Sequence, residues 1–278
     1  MLATRIHRQE GICLAVDIGT NGEVVLAGRG RILTCSTAAG PAFEGSHIRH
    51  GMRAATGAIE AVKIDEDVSL KVIGDAAPRG ICGSGLIDVV AEMLKSGLIE
   101  PSGRFASPEE AGGSRNPPVW SRLRRSGEGR EFVVAPGSIS ATGEDIVITQ
   151  KDLRELQLAK GALLAGIRLL LREMGTETGS IGRIFLAGTF GNYINRESAV
   201  AIGLLPAVPP EIIVPVGNAA GEGAMLALVS REERNLAAAL ARKAEHLELS
   251  ARMDFQEDFV EAMSVPEGPG SFGPGIRN

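Results

Sequence analysis

The stretch Cys13-Leu14-Ala15-Val16-Asp17-Ile18-Gly19-Thr20-Asn21-Gly22-Glu23-Val24-Val25-Leu26 constrains the fold of this chain more than any other. An apolar strand runs into Asp17, a turn of Gly19, Thr20, Asn21 and Gly22 reverses direction, and a second apolar strand leaves from Glu23. Such a turn gathers backbone N–H groups and a hydroxyl beside a carboxylate, which suits a phosphate and its Mg²⁺. An ordinary hairpin with Asn-Gly at its tip would use the same residues, so the rest of the chain must decide.

With 278 residues the chain can bury a large core, as one big domain or two modest ones. Hydrophobic residues make up 44 % and aromatics only 4 %, so the packing falls to Ala, Val, Ile and Leu. The 36 glycines exceed the roughly 7 % of average usage and imply many tight turns and close backbone approaches. A net charge of −5 implies no long basic face, which argues against nucleic acid as a partner. Cys13, Cys35 and Cys82 are odd in number and far apart, without the paired spacing of a zinc or iron–sulfur site. They read as reduced cysteines of a cytoplasmic protein. No apolar run nears the 18 to 20 residues of a membrane span, and Met1 to Glu10 lacks the apolar core of a signal peptide.

In chain order, Ile12–Ile18, Glu23–Ala27 and Arg31–Ser36 predict a three-stranded antiparallel meander. Ala38 to Gly45 is a small-residue segment suited to close backbone approach. Gly57–Ile64 and Ser69–Ile73 read as two further strands. Gly80-Ile81-Cys82-Gly83-Ser84-Gly85 is a glycine turn entering a helix, whose free N–H groups make a second anion site or merely allow close helix packing. Pro101 to Glu131, with its prolines, arginines and lone Trp120, reads as a surface excursion outside the core. Thr149 and Asp152 form a capping box, and Leu153, Leu156, Ala159, Leu163, Ile167 and Leu170 then predict roughly six turns of helix to about Met174. Gln150, Lys151 and Lys160 face either the site or solvent, with solvent the plainer expectation. Ile181–Ala187 is a strand ending in Gly188-Thr189-Phe190-Gly191-Asn192, and Glu211–Val216 is a strand running into Gly217-Asn218-Ala219-Ala220-Gly221-Glu222-Gly223. Ser230 and Glu233 form a second capping box for a helix to about Leu249. Ala251 to Ala262 adds a strand or short helix around Phe255 and Phe259.

Four glycine-bearing strand-to-turn junctions therefore lie at Asp17–Glu23, Gly80–Gly85, Gly188–Asn192 and Gly217–Gly223. Their chemistry fits one shared crevice that binds phosphate and nucleoside by backbone, with Mg²⁺. Asp17 and Glu23 are placed to hold the metal directly or through water, Thr20 to bond a phosphate oxygen, and Gly188 with Gly191 to flank a base or ribose. The chain carries no P-loop, and the first junction is followed by a strand, which excludes a dinucleotide fingerprint.

Taken together, Asp17 to Glu23, Ser36 to Gly45, Gly80 to Asp88, Gln150 to Gly161, Leu186 to Ile194 and Val216 to Ala224 resemble the carboxyl-terminal domain of the reductive activators of corrinoid proteins. These belong to the superfamily of actin, sugar kinases and heat-shock chaperone ATPases. The resemblance implies an α/β fold, a ribonuclease H-like (actin-like ATPase) mixed sheet flanked by helices with an inserted loop region. It divides the chain into 1–100 and 132–263 as two parts of one ATPase domain, a flexible insertion at 101–131 and a loose tail at 264–278. It also implies that ATP drives an electron from a [2Fe–2S] domain to cobalt, returning Co(II) to Co(I) in a corrinoid protein or related metalloprotein. Asp17 to Glu23 would be the second phosphate hairpin, and Gly188, Thr189, Phe190 and Gly191 the adenosine motif. Gly217, Asn218 and Glu222 would lie near the nucleotide and the second connecting helix.

Two departures qualify this. Three ungrouped cysteines cannot hold an iron–sulfur cluster, so none is expected in this chain, and only sixteen residues precede Asp17, too few for a first phosphate motif. The expectation is one half of a nucleotide clamp, completed by an upstream domain or a second polypeptide, with a homodimer as one arrangement. A nonenzymatic module docking a metalloprotein is the alternative, followed by a small-molecule kinase, for which no clear catalytic Asp of a second motif is present.

Overall fold

The computed structural model describes residues 1–107, 117–127, 129–188, 193–250 and 252–266. The elements run β1 Ile12–Ile18, β2 Gly22–Gly28, β3 Arg31–Thr37, β4 Ala58–Ile64, β5 Val68–Val72, β6 Gly80–Ile81 and α1 Gly83–Lys95. There follow α2 Pro117–Trp120, β7 Leu123–Ser126, β8 Gly129–Ala135, β9 Ile146–Thr149 and α3 Gln150–Met174. The chain continues through β10 Ile181–Ala187, α4 Arg196–Ala201, β11 Ile213–Gly217, α5 Ala219–Val229, α6 Arg231–Lys243, β12 Glu245–His246 and α7 Met253–Met263.

The main sheet has six strands in the order β11-β10-β1-β2-β3-β12. The expected meander is there: β1–β2 and β2–β3 are antiparallel, and Arg29 and Gly30, both at positive φ (49° and 78°), close the second hairpin as a two-residue turn of this twist requires. To this meander the fold adds parallel neighbours from far along the chain. β10 pairs with β1, and β11 with β10. The result is the mixed sheet flanked by helices that belongs to the actin-like class.

The two faces of the sheet bury different sets, as alternation along a strand demands. Leu14, Val16, Ile18, Val24 and Leu26 point into the large core. Cys13 and Ala27 point the other way, into a smaller cluster with Leu2, Ile6 and Leu240. α3 lies across the large-core face, starting at the expected capping box: Asp152 N–H donates to Thr149 Oγ1 (3.2 Å) and Thr149 N–H to Asp152 Oδ2 (2.8 Å). Its Leu153, Leu156, Leu163, Ile167 and Leu170 are fully buried, each contributing about 1.5–3 kcal/mol over exposure. The helix sits close because small residues meet it. A side chain at Gly22 would come within 2.1 Å of Leu163 Cδ2, and one at Gly166 within 2.6 Å of Thr37 Cγ2.

Two expectations need correction. Lys160 was expected at the solvent or the site, but it is fully buried: it donates to the carbonyls of Ala262 (2.7 Å) and Ser264 (2.5 Å), fastening the end of α7 to α3. Burial, with a smaller contribution from Arg168, lowers its ammonium to about 7. The described parts of 101–131 also belong to the packed fold. Phe105, Ala106 and Val119 are buried, and β7 joins β8 and β9 in a separate three-stranded sheet.

Candidate functional site

β1, β10 and β11 are parallel, so their carboxyl ends lie at one edge of the sheet. Asp17 is in register with Ala187, and Ala187 with Gly217. Ligands of open α/β sheets bind outside such strand ends. Gly188 ties the three junctions together. Its N–H donates to Gly217 O at 3.0 Å, and its φ of +108° is open to glycine. A side chain there would lie 2.6 Å from Ile18 O and 3.3 Å from Asp17 Oδ1. The Asp17 hairpin and the Gly188 and Gly217 junctions therefore share one place. Thr189, Phe190, Gly191 and Asn192 fall outside the described residues.

Asp17 is half-buried. Burial pushes its carboxyl above the ordinary carboxylate range, and the positive amino terminus at Met1 pulls in the opposite direction. Glu23 stands directly opposite Asp17 across the β1–β2 pair, so the two carboxylates share a face with Cβ atoms about 5 Å apart. Gly19, Thr20 and Asn21 form the tip, closed by Gly19 N–H to Asn21 O at 3.0 Å. The Thr20 hydroxyl donates to the carboxylate of Glu44. Sequence reasoning did not single out Glu44, which stands in the 3-10 turn Pro41–Glu44; its signal was the small-residue segment that brings that turn close.

On the other side of the edge, Asn218 caps α5: its Oδ1 accepts from Gly221 N–H at 2.9 Å. Glu222 is exposed in the first turn. The amino end of α5 thus directly follows Gly217, and free N–H groups at a helix start favour an anion.

The fourth junction is placed differently. Gly83, Ser84 and Gly85 are buried at the start of α1. A side chain at Gly83 would meet Phe43 O at 2.3 Å and one at Gly85 would meet Ile59 O at 2.2 Å. The Ser84 hydroxyl is spent on Glu60 O (2.8 Å). Close packing accounts for this turn, and it reaches the hairpin only through the 3-10 turn, where Phe43 touches Gly83 and Glu44 touches Thr20.

Residues 11–273 match the family model described as the C-terminal domain of RACo, the ASKHA domain. The chain belongs to that family. The domain is 38 % identical over 257 residues to the corrinoid activation enzyme RamQ of Eubacterium limosum, a match covering 92 % of this chain and 43 % of the relative. It is 28 % identical over 289 residues to the [Co(II) methylated amine-specific corrinoid protein] reductase of Methanosarcina barkeri, covering 95 % of this chain and 48 % of that protein. A solved structure, a reductive activator for corrinoid,iron-sulfur protein, superposes with a TM-score of 0.84 at 41 % identity, covering 95 % of this chain and 41 % of that one. The ASKHA domain therefore spans about half the length of the curated relatives it matches. Among its described residues no helix is long and apolar enough to cross a membrane, and no cluster of three or more His, Cys, Asp or Glu could hold a metal.

Proposed function

We propose that this domain is the nucleotide-binding portion of an ATP-dependent reductive activator of a corrinoid protein. The observation that carries the reading is the meeting of the Asp17 hairpin with the Gly188 and Gly217 junctions, where the missing side chain of Gly188 lets the backbone approach Ile18 O and Asp17 Oδ1 while its N–H bonds Gly217 O. The residues fit a magnesium nucleotide. Magnesium takes most of its ligands from phosphates and water and needs one or two carboxylates, which Asp17 and Glu23 provide. The hairpin tip and the amino end of α5 supply N–H groups for phosphate oxygens. Bound ATP would supply binding or hydrolysis energy for adding one electron to Co(II). In this reading the electron comes from an iron–sulfur domain outside these residues.

A partner for the crevice is part of the proposal. α5 buries none of its residues although its sequence is almost wholly apolar; Met225, Leu228 and Val229 are 67 %, 75 % and 79 % exposed. Beside it, β11 is, among the described residues, an unpaired edge of the sheet. An open edge and an uncovered apolar helix together call for a covering surface. The portion that the relatives carry outside the matched region, in the same polypeptide or another, would close over Asp17 and α5.

Calorimetric titration with Mg-ADP tests this, using the domain alone and then mixed with that remaining portion. Binding should strengthen in the mixture, and Asp17→Ala should weaken it at least about tenfold, the effect of losing about 1.4 kcal/mol at the metal. Absence of heat in both experiments would sink the nucleotide reading and leave a docking module.

A further inference from the structure

We infer that the β7–β8 hairpin and the segment Arg104–Ser107 form a second anion site, suited to a small molecule bearing a phosphate or pyrophosphate group. The starting point is an arrangement that costs stability. Arg125 on β7 stands directly opposite Arg130 on β8, next to the well-matched pair Arg124 and Glu131. Like charges so opposed are destabilising. Among the described residues neither Arg125 nor Arg130 meets a carboxylate. Arg130 donates to the Ala106 carbonyl, which holds its guanidinium at the mouth of a hollow, and Arg125 is exposed beside it.

The hollow has a volume of about 490 Å³ and is lined by Arg104, Phe105, Arg125, Arg130 and Gln150 among others. That size lies within the roughly 300–1,000 Å³ of small-ligand sites and favours a small anion over a flat protein contact. The Gln150 side chain is occupied, donating to Gly103 O (2.7 Å) and accepting from Phe105 N–H (3.3 Å). Arg104 is ion-paired with Glu100 (2.7 Å), so recognition falls to the guanidinium groups of Arg125 and Arg130, whose fork geometry matches phosphate oxygens. The basic hollow contrasts with the net charge of −5. It is also separate from the nucleotide crevice: Gln150 begins α3, whereas Leu163, which meets Gly22, lies thirteen residues on, roughly 20 Å along the helix.

Titration with inorganic pyrophosphate in Mg²⁺-free buffer tests the site. The full chain should bind with an affinity that falls as salt rises, and Arg125→Ala with Arg130→Ala should weaken binding at least about tenfold. Arg125→Glu should abolish binding and at the same time raise the melting temperature, because it replaces an opposed pair with an attractive one. Equal binding by the double alanine variant, no binding by the full chain at millimolar pyrophosphate, or a lower melting temperature for Arg125→Glu would overturn the proposal. Binding of a hexa-aspartate peptide in place of pyrophosphate would overturn it in favour of an acidic protein segment.

Discussion

Lys160 and Asp17 are both charged residues taken out of water, and they behave oppositely. Lys160 is buried with its ammonium lowered to about 7. Between that value and its ordinary 10.5 the unfolded chain holds a proton that the folded chain lacks, so stability should rise with pH across this window and level off below it. Urea denaturation at pH 7 and at pH 9.5 measures the rise, which should disappear in Lys160→Met. That substitution should also cost about 2 kcal/mol, because the carbonyls of Ala262 and Ser264 lose their donor. Faster hydrogen exchange over 258–265 would locate the effect. Asp17, raised by burial, should gain affinity for Mg²⁺ as pH climbs through its elevated titration range, where an ordinary aspartate would already be ionised. The position of Lys160 was legible in principle. It falls four residues after Leu156 and three before Leu163, on the apolar stripe itself, but a charge on that stripe gives no hint of which carbonyls receive it. The Thr20 hydroxyl was harder still, since Glu44 comes to it from another segment.

At the scale of elements, glycine placement decides how closely helices approach strands. Gly85→Ala would drive a methyl group into the Ile59 carbonyl, 2.2 Å away, and a backbone oxygen cannot rotate aside. The expected loss is about 2–3 kcal/mol, read from chemical denaturation. Gly179→Ala, with open space around it, should change stability by less than about 0.5 kcal/mol. α3 could be read from the sequence because its cap and its period of three and four are local signals, and the helix begins at the expected residue. The same glycine pattern left two readings open at Gly83–Gly85. A Gly-x-Gly before a helix serves an anion or a tight crossing equally well, and only the neighbours Phe43 and Ile59 distinguish the two. α7 also escaped a firm assignment, because its place depends on packing against α3.

For the molecule as a whole, the predicted mixed sheet with helices is the fold observed, and the family match agrees with it. The antiparallel meander was readable from turns, whereas the parallel pairs β1–β10 and β10–β11 join segments with no local signal between them. Their meeting was inferred from the chemistry of the junctions rather than from any pattern of residues. The uncovered face of α5 yields its own prediction. Met225→Lys, Leu228→Lys and Val229→Lys combined should leave the melting temperature of the isolated domain nearly unchanged, since those side chains already face water. They should abolish association with the proposed covering portion, as followed by sedimentation.

The pairing of Ile12–Ile18 with Ile181–Ala187 also imposes an order on biosynthesis. While the ribosome is still short of residue 181, the flank of β1 opposite its hairpin partner is bare. In such a nascent chain the exposed strand invites pairing with other unfinished copies. Completion of the sheet edge at Asp17 is therefore a late event, and a message cut short before β10 should yield aggregates.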